Sequence, residues 1–584
     1  MSAEAKDWLP DRWQPSNIPA ELATRLRAGV SRLGHLGRVR RVLARVDRGE
    51  PIVMAALGSS VTSDFGGAVG YMQERFKLGY IGVPRKCRGK CVQYGWLLPI
   101  FRFLTQNQAA AHNMQNASLV NCGQAARFIS TYLDCTSSAV PETADLIIID
   151  GSNGMAPVVG SKFLPTEKLV RRLLSLPHQP AIIVLHWMDW CACSLSVCKP
   201  GPRVNRHKSL SCYQPQGFNE SWIIGRRRED ETGWADLAKH YRLPTLSLRR
   251  ALHPSAMPQA VRSSSDVNLA NVSQLWRFPQ TFTWDGLHPM ACSSSWENCP
   301  YSMLIASMVN VFLADVRQGR IGTSPDEHSP LPLNCIPIKP SAREKSVARV
   351  ERCFGWGIDR RTPPPIANAS GWRLTTMDTA HSFDPPTHCS ETQKARKRKP
   401  LLVASPPSPP CPNPKAGFTA FEPGSSAVFV LPLSATGFNR EGHDGRSVKP
   451  LVWPTAFGRQ ARSWKATLAI TYLSSYEGMG VASVSCGLDC SCAEARIDAH
   501  RMRDFLSLWS QHHTEVMVNG LHATSCEVRL TLQNRSSSTA ATAAGNKFKL
   551  GSMALMWAAE DERTATGRTE AAGPKCRSYL PPSV

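Results

Sequence analysis

Pro51-Ile52-Val53-Met54-Ala55-Ala56-Leu57-Gly58-Ser59-Ser60-Val61-Thr62 is an apolar run of strand length that stops at a glycine and two serines. Continuous apolar residues between Pro51 and Gly58, without alternation, predict a strand buried on both faces. Two more runs of the same kind follow, Asp145-Leu146-Ile147-Ile148-Ile149-Asp150 and Ala181-Ile182-Ile183-Val184-Leu185. Leu243-Pro244-Thr245-Leu246-Ser247-Leu248 continues the series. Helical patterns occupy 164–176 and 232–240, and an apolar helix over 301–316 closes the region. Strands alternating with helices predict an α/β domain over 51–320, with a parallel sheet covered by helices on both faces.

Residues 1–50 read differently. Leu22, Leu26, Val30, Leu33, Leu36, Val39, Leu43 and Val46 recur at helical spacing among many arginines, which predicts a basic helical segment. It is expected to pack on the following domain, or else to meet a partner or a membrane surface. Gly29, Gly34 and Gly37 weaken the helix. Residues 321–415 carry Thr362-Pro363-Pro364-Pro365, a second proline cluster over 405–410 and the basic run 394–399, so a solvated linker is expected. From 416 to 560, short apolar segments separated by Gly, Ser and Asn predict an all-β, sandwich-like domain with one helical interruption near 498–509. Residues 561–584 are expected as a tail.

The composition sets limits on function. The chain has 584 residues and a net charge of +23, divided as +13 over 1–340 and +10 over 341–584. A charge spread over both halves is not the single basic stripe of a nucleic-acid binder, so no specific nucleic-acid partner is expected. No apolar run reaches the roughly 20 residues of a transmembrane helix. The longest, 301–314, contains Asn310. Nineteen cysteines and sequons at Asn116, Asn219, Asn271, Asn368 and Asn534 fit a disulfide-bonded glycoprotein of the secretory pathway or the cell exterior. The N-terminus MSAEAKDWLPDRW lacks the basic-then-apolar layout of a signal peptide, which keeps a cytoplasmic alternative open.

Two segments carry chemistry. Ser60 stands just past the end of the first strand, where α/β sheets place their ligands, and Gly58 permits a tight turn there. Asp285-Gly286-Leu287-His288 precedes the last helix of the domain, with a carboxylate spaced to hold an imidazole tautomer. The bland alternatives are an ordinary Gly-Ser loop and a turn capped by an aspartate. Together with Asp150-Gly151-Ser152-Asn153-Gly154, these segments resemble the SGNH (GDSL-like) hydrolase family over about residues 50–318.

The resemblance implies a flavodoxin-like three-layer α/β/α fold and a Ser60, His288, Asp285 mechanism. Ser60 would attack an ester carbonyl, His288 would take its proton, and Asp285 would orient His288. The oxyanion donors it implies are the Ser60 N–H, the Asn153 amide and a backbone N–H at Gly123 or Ala126. The family often has N-x-x-x-x-G where this chain reads Asn121-Cys122-Gly123-Gln124-Ala125-Ala126, so Ala126 replaces a glycine; Ser59 likewise replaces the usual Asp. No metal or cofactor is implied. The substrate class is an acyl ester, with O-acetyl groups on polysaccharide favoured by the β domain, the sequons and the linker. An O-acyltransferase and a non-catalytic glycan-binding or cell-surface protein are the alternatives.

Other residues stay open between roles. Cys191, Cys193, Cys198 and Cys212 form one cluster, Cys292 and Cys299 flank the loop after His288, and Cys486, Cys490 and Cys492 form another; disulfides, free thiols and metal ligands are the choices. His186, Trp187 and Trp190 stand near a strand end, where the tryptophans either line a pocket or pack into the core.

Overall fold

The computed structural model describes residues 18, 20–59, 61–62, 96–105, 117–123, 130–152, 163–187, 231–252, 300–321, 349–355, 363–375, 417–433, 463–475, 478–500, 508–520, 523–534 and 546–558. They fall into two units. The first comprises 1–130, 140–342 and 384–414, and the second 131–139, 343–383 and 415–584.

The first unit is built on α1 (Ala20–Ala28), β1 (Val30–Arg32), α2 (Gly37–Asp47), β2 (Val53–Leu57), α3 (Leu97–Thr105), β3 (Ser118–Asn121), β4 (Leu146–Asp150), α4 (Phe163–Leu174), β5 (Ala181–His186), α5 (231–240), β6 (Thr245–Ser247), α6 (Leu248–Leu252) and α7 (Pro300–Arg317). The sheet order is β1-β6-β5-β4-β2-β3. Strands β2 to β6 pair in parallel, and β1 joins β6 antiparallel at the edge. Numbered among themselves, the five parallel strands run 2-1-3-4-5, the flavodoxin-like order.

Both faces of the sheet are buried, as the unbroken apolar runs require. Met54, Ala56, Leu146, Ile148, Ile183 and Leu246 share one core with α1, α2, α3, α6 and α7. The alternate residues Ala55, Leu57, Ile147, Ile149, Ile182 and Val184 are just as inaccessible. Leu169, Val170 and Leu173 on α4 and Trp234 and Leu237 on α5 are buried as well. A mainly parallel sheet with helices packed on it makes this an α/β unit.

The expected helix across 19–48 is two helices with β1 between them. Gly34 explains the break: it has φ of +64°, and a Cβ there would lie 2.5 Å from the Arg242 carbonyl oxygen. The segment packs into the first unit. Val39, Val42, Leu43 and Val46 enter the core, while Arg38 donates to the carbonyls of Leu174 and Pro180 at 3.1 Å each.

The second unit is an antiparallel sandwich, as its short apolar segments separated by turn residues predict. Its strands are β7 (Arg349–Gly355), β8 (Ile366–Ser370), β9 (Trp372–Thr375), β10 (Gly417–Ala420), β11 (Ser426–Pro432), β12 (Ser463–Ser474), β13 (Val481–Leu488), β14 (Cys490–Cys492), β15 (Ala495–Asp498), β16 (Leu508–Asn519), β17 (Ser525–Leu532) and β18 (Phe548–Ala558). One sheet runs β14-β16-β12-β18-β10-β9 with β7 also on β18, and the other β15-β13-β17-β11-β8. Ala427, Phe429 and Leu431 from the second sheet meet Leu468, Ile470 and Phe548 from the first in one core.

Strands β7, β8 and β9 lie inside 321–415, the stretch expected to be linker. The helix expected near 498–509 falls largely outside the described residues, and its two ends belong to β15 and β16. Residues 131–139 pass through this unit as well. Cys135 is disulfide-bonded to Cys353 and packs with Ala469, Ala554 and Met556, while Asp134 accepts from Gln511 at 2.6 Å and meets His513 Nε2 at 2.9 Å. Disulfides Cys486–Cys492 and Cys490–Cys526 tie β13, β14 and β17. The sulfurs of Cys486, Cys490 and Cys526 lie within 4.8 Å of one another, but these bonds occupy all three. Among the described residues no helix is long and apolar enough to cross a membrane.

Candidate functional site

The chain order places a crevice between β2 and β4. After β2 the chain crosses to β3 at the sheet edge, then returns past β2 to form β4 and moves the other way. At such a switch point the loops leaving the two central strands diverge, and open α/β sheets hold ligands at that carboxyl end. Gly58 and Ser59 leave β2, and Gly151 and Ser152 leave β4.

One buried carboxylate joins these loops. Asp150, the last residue of β4, is wholly inaccessible to solvent. Its Oδ2 accepts from the Ser59 N–H at 3.3 Å, the Ser59 hydroxyl at 3.2 Å and the Thr62 hydroxyl at 3.2 Å. Its Oδ1 accepts from the Ser152 N–H at 3.0 Å and the Trp187 indole N–H at 2.5 Å. Burial pushes the Asp150 carboxyl up to about 6, against the lowering effect of the hydrogen bonds from Ser152, Ser59, Trp187 and Thr62.

The loop after β2 is held from other sides too. Asn121, at the end of β3, donates its Nδ2 to the Thr62 carbonyl at 2.8 Å, and Trp96 donates its indole N–H to the Val61 carbonyl at 3.3 Å. The close approach explains two glycines. A Cβ on Gly58 would stand 1.9 Å from Thr62 Oγ1 and 2.7 Å from Asp150 Cβ. One on Gly151 would meet the His186 ring at 2.6 Å.

A second polar cluster occupies the carboxyl ends of the neighbouring strands. Glu231, on α5, accepts from Ser247 at 2.7 Å and takes a two-point contact from Arg249 at 3.0 and 2.7 Å. Burial alone would raise Glu231, but the Arg249 fork, the nearby His186 and the Ser247 hydroxyl together hold it below the ordinary carboxylate value. This cluster is internally paired, with Arg249 committed to Glu231.

Of the residues expected at the site, Gly123 is described. Its N–H donates to Asn121 Oδ1 at 2.9 Å, within its own turn. Ser60, Ala126, Asn153, Asp285 and His288 lie outside the described residues, as do Trp190, Cys191, Cys193, Cys198, Cys212, Cys292 and Cys299. Ser60 is flanked in the chain by Ser59 and Val61, and Asn153 follows Ser152. Trp187 belongs to the core, where it is 1% exposed and serves Asp150. Sequence reasoning missed Asp150, Thr62 and the Asn121 side chain as parts of the site. The available signal was a carboxylate ending an otherwise apolar strand directly before a glycine.

No family model and no curated protein matches the chain. Among solved structures it is similar to a two-domain esterase (CEX) active on acetylated mannans, crystallised with mannopentaose, at 14% identity over 92% of this chain and 98% of that one, with a TM-score of 0.44. It is also similar to a family 35 carbohydrate binding module from an environmental isolate, at 10% identity over 36% of this chain and 98% of that one, with a TM-score of 0.17. A tail fiber protein from an E. coli phage is similar at 8% identity over 89% of this chain and 48% of that one, with a TM-score of 0.25. At this level of similarity the chemistry rests on the chain's own residues.

Proposed function

We propose that the chain is a serine esterase of SGNH type acting on acyl esters, with O-acetyl groups on polysaccharide as the substrate class. The observation that carries this is the loop after β2. It leaves the central strand at the switch point and is pinned on both sides of Ser60, through Ser59 and through Val61 and Thr62. A nucleophile needs such a fixed turn, because a misplacement of about 1 Å can cost on the order of a hundredfold in rate.

In this reading Ser60 Oγ attacks the ester carbonyl and His288 accepts its proton. Asp285 holds the His288 tautomer, and His288 returns the proton to the departing alcohol. The Ser60 N–H, the Asn153 amide and a backbone N–H at Gly123 or Ala126 carry the oxyanion. Water then releases the acyl group, with no metal or cofactor. The Cys135–Cys353, Cys486–Cys492 and Cys490–Cys526 disulfides support an oxidising compartment, which suits a secreted or cell-surface enzyme.

The second reading is a non-catalytic glycan-binding protein on the same scaffold. The altered oxyanion block favours it: the Gly123 N–H already donates to Asn121, and Ala126 stands where the family has glycine. Purified wild type and Ser60→Ala separate the two when tested with a fluorophosphonate probe, p-nitrophenyl acetate and acetylated polysaccharide. The esterase reading expects labelling and turnover by wild type alone. Equal turnover by both proteins, or none by either, defeats it.

A further inference from the structure

We propose that Asp150 is a positioning residue of this site. Its carboxylate fixes the loop that carries Ser60 and couples it to the loop that carries Asn153. The proposal rests on the esterase reading of Ser60.

The geometry supports a division of labour between the two oxygens. Oδ2 gathers the Ser59 N–H, the Ser59 hydroxyl and the Thr62 hydroxyl, which bracket Ser60 in the chain. Oδ1 gathers the Ser152 N–H, one residue before Asn153, and the Trp187 indole. Each set includes a backbone N–H that can only donate, so an acceptor is required on both sides. An ionised carboxylate meets that demand, whereas an amide meets it on one side only. Trp187 in turn is bound to the second loop, accepting from the Ser152 hydroxyl at its carbonyl at 3.2 Å. The loops from β2 and β4 and the chain just past β5 are therefore joined through one buried group. Gly58 leaves the space in which this packing is possible, since a Cβ there would collide with Thr62 and Asp150.

Asp150→Asn provides the test. Its amide can keep Trp187 and Ser152 on the oxygen and turn its NH2 toward the hydroxyls of Ser59 and Thr62, which can accept. The Ser59 N–H then faces another N–H and loses its partner. The expected result, in full-length protein that still unfolds cooperatively, is a kcat for p-nitrophenyl acetate lower by about 10- to 100-fold with KM within about threefold. Thr62→Val and Ser59→Ala should each lower kcat by about 3- to 10-fold in the wild-type background and by clearly less than that in the Asp150→Asn background, because their effects run through the same side chain.

If Asp150→Asn does not fold, the Ser59→Ala/Thr62→Val double variant carries the test with Asp150 intact. Ser60-dependent activity that survives Asp150→Asn, or that double variant, within about twofold overturns the proposal and leaves the esterase reading standing. Full additivity of Thr62→Val with Asp150→Asn also overturns it. Absence of Ser60-dependent turnover and labelling in wild type is the separate failure of the esterase reading itself.

Discussion

Asn121 Nδ2 lies 2.8 Å from the Thr62 carbonyl, so the end of β3 holds the far side of the loop that leaves β2. The same side chain accepts from the Gly123 N–H through Oδ1. Asn121→Ala therefore removes a donor and an acceptor together. The expected cost is about 1–3 kcal/mol of stability, since a carbonyl and an N–H in a part-buried position lose their partners. Thermal unfolding measures it, and a loss of fluorophosphonate labelling rate should accompany it. An unchanged melting temperature would show that water replaces Asn121 without cost.

Gly58→Ala should be worse than its small size implies. The new methyl would meet Thr62 Oγ1 at 1.9 Å and Asp150 Cβ at 2.7 Å. Overpacking of this kind costs about 1–3 kcal/mol. Gly424→Ala is the comparison, because that site has φ of +82° and nothing within 4 Å of a Cβ. There the penalty is backbone strain without a clash, and labelling at Ser60 should stay at the wild-type rate. Equal labelling by the two variants would argue against a crowded nucleophile turn.

Asp150 gives a pH dependence of definite sign. Burial holds its folded-state value at about 6, above the ordinary 3.8, so between these values the folded chain binds a proton that the unfolded chain releases. The stabilising contribution of that proton is complete below the unfolded value and disappears as pH rises through the folded one. Measured against Asp150→Asn, wild type should lose about 2–3 kcal/mol of relative stability between about pH 4 and pH 7. Using the difference between the two proteins cancels Glu50 and Glu231, whose lowered values act in the opposite direction. A difference that is flat with pH would remove Asp150 as the titrating group.

The Cys135–Cys353 bond joins residues 218 positions apart. Replacing both cysteines with alanine frees a long loop in the unfolded chain, and the expected loss is about 2–5 kcal/mol. Calorimetry under non-reducing conditions should show a lowered transition, and dithiothreitol should bring wild type toward the variant. A transition that does not move would mean that Ala469, Ala554 and Met556 hold the 131–139 segment unaided.

Two sequons can be judged by accessibility. Asn368 on β8 and Asn534 after β17 are exposed. Expression through a eukaryotic secretory pathway should give glycan at both, seen as a mass shift removed by peptide N-glycosidase and abolished by Asn368→Gln and Asn534→Gln. Unmodified asparagines in secreted material would contradict the glycoprotein expectation.

The parallel strands were legible because a strand buried on both faces has to be apolar throughout, as Ile147, Ile148 and Ile149 are. β3 was not, since Ser118-Leu119-Val120-Asn121 is short and half-buried. β7 was hidden for a related reason: Arg349-Val350-Glu351-Arg352 lacks an apolar alternation, and its place comes from pairing with β18, far along the chain. At the site, the tight turn at Gly58 could be read from its place after a strand. Asp150 left only the signal of a carboxylate ending an apolar strand; what it binds was not legible, because its partners Ser59 and Thr62 are 91 and 88 residues away in sequence. Local pattern carries the turn, and only the folded sheet brings its anchor to it.

The 131–139 segment also bears on how this chain can be divided. A fragment cut at 416 would leave behind β7, β8 and β9, together with the whole Cys135–Cys353 disulfide and the Asp134 partner of Gln511 and His513. The sandwich is thus not a portable module that recombination could graft elsewhere as one contiguous piece. Its residues are interleaved along the chain with those of the α/β unit.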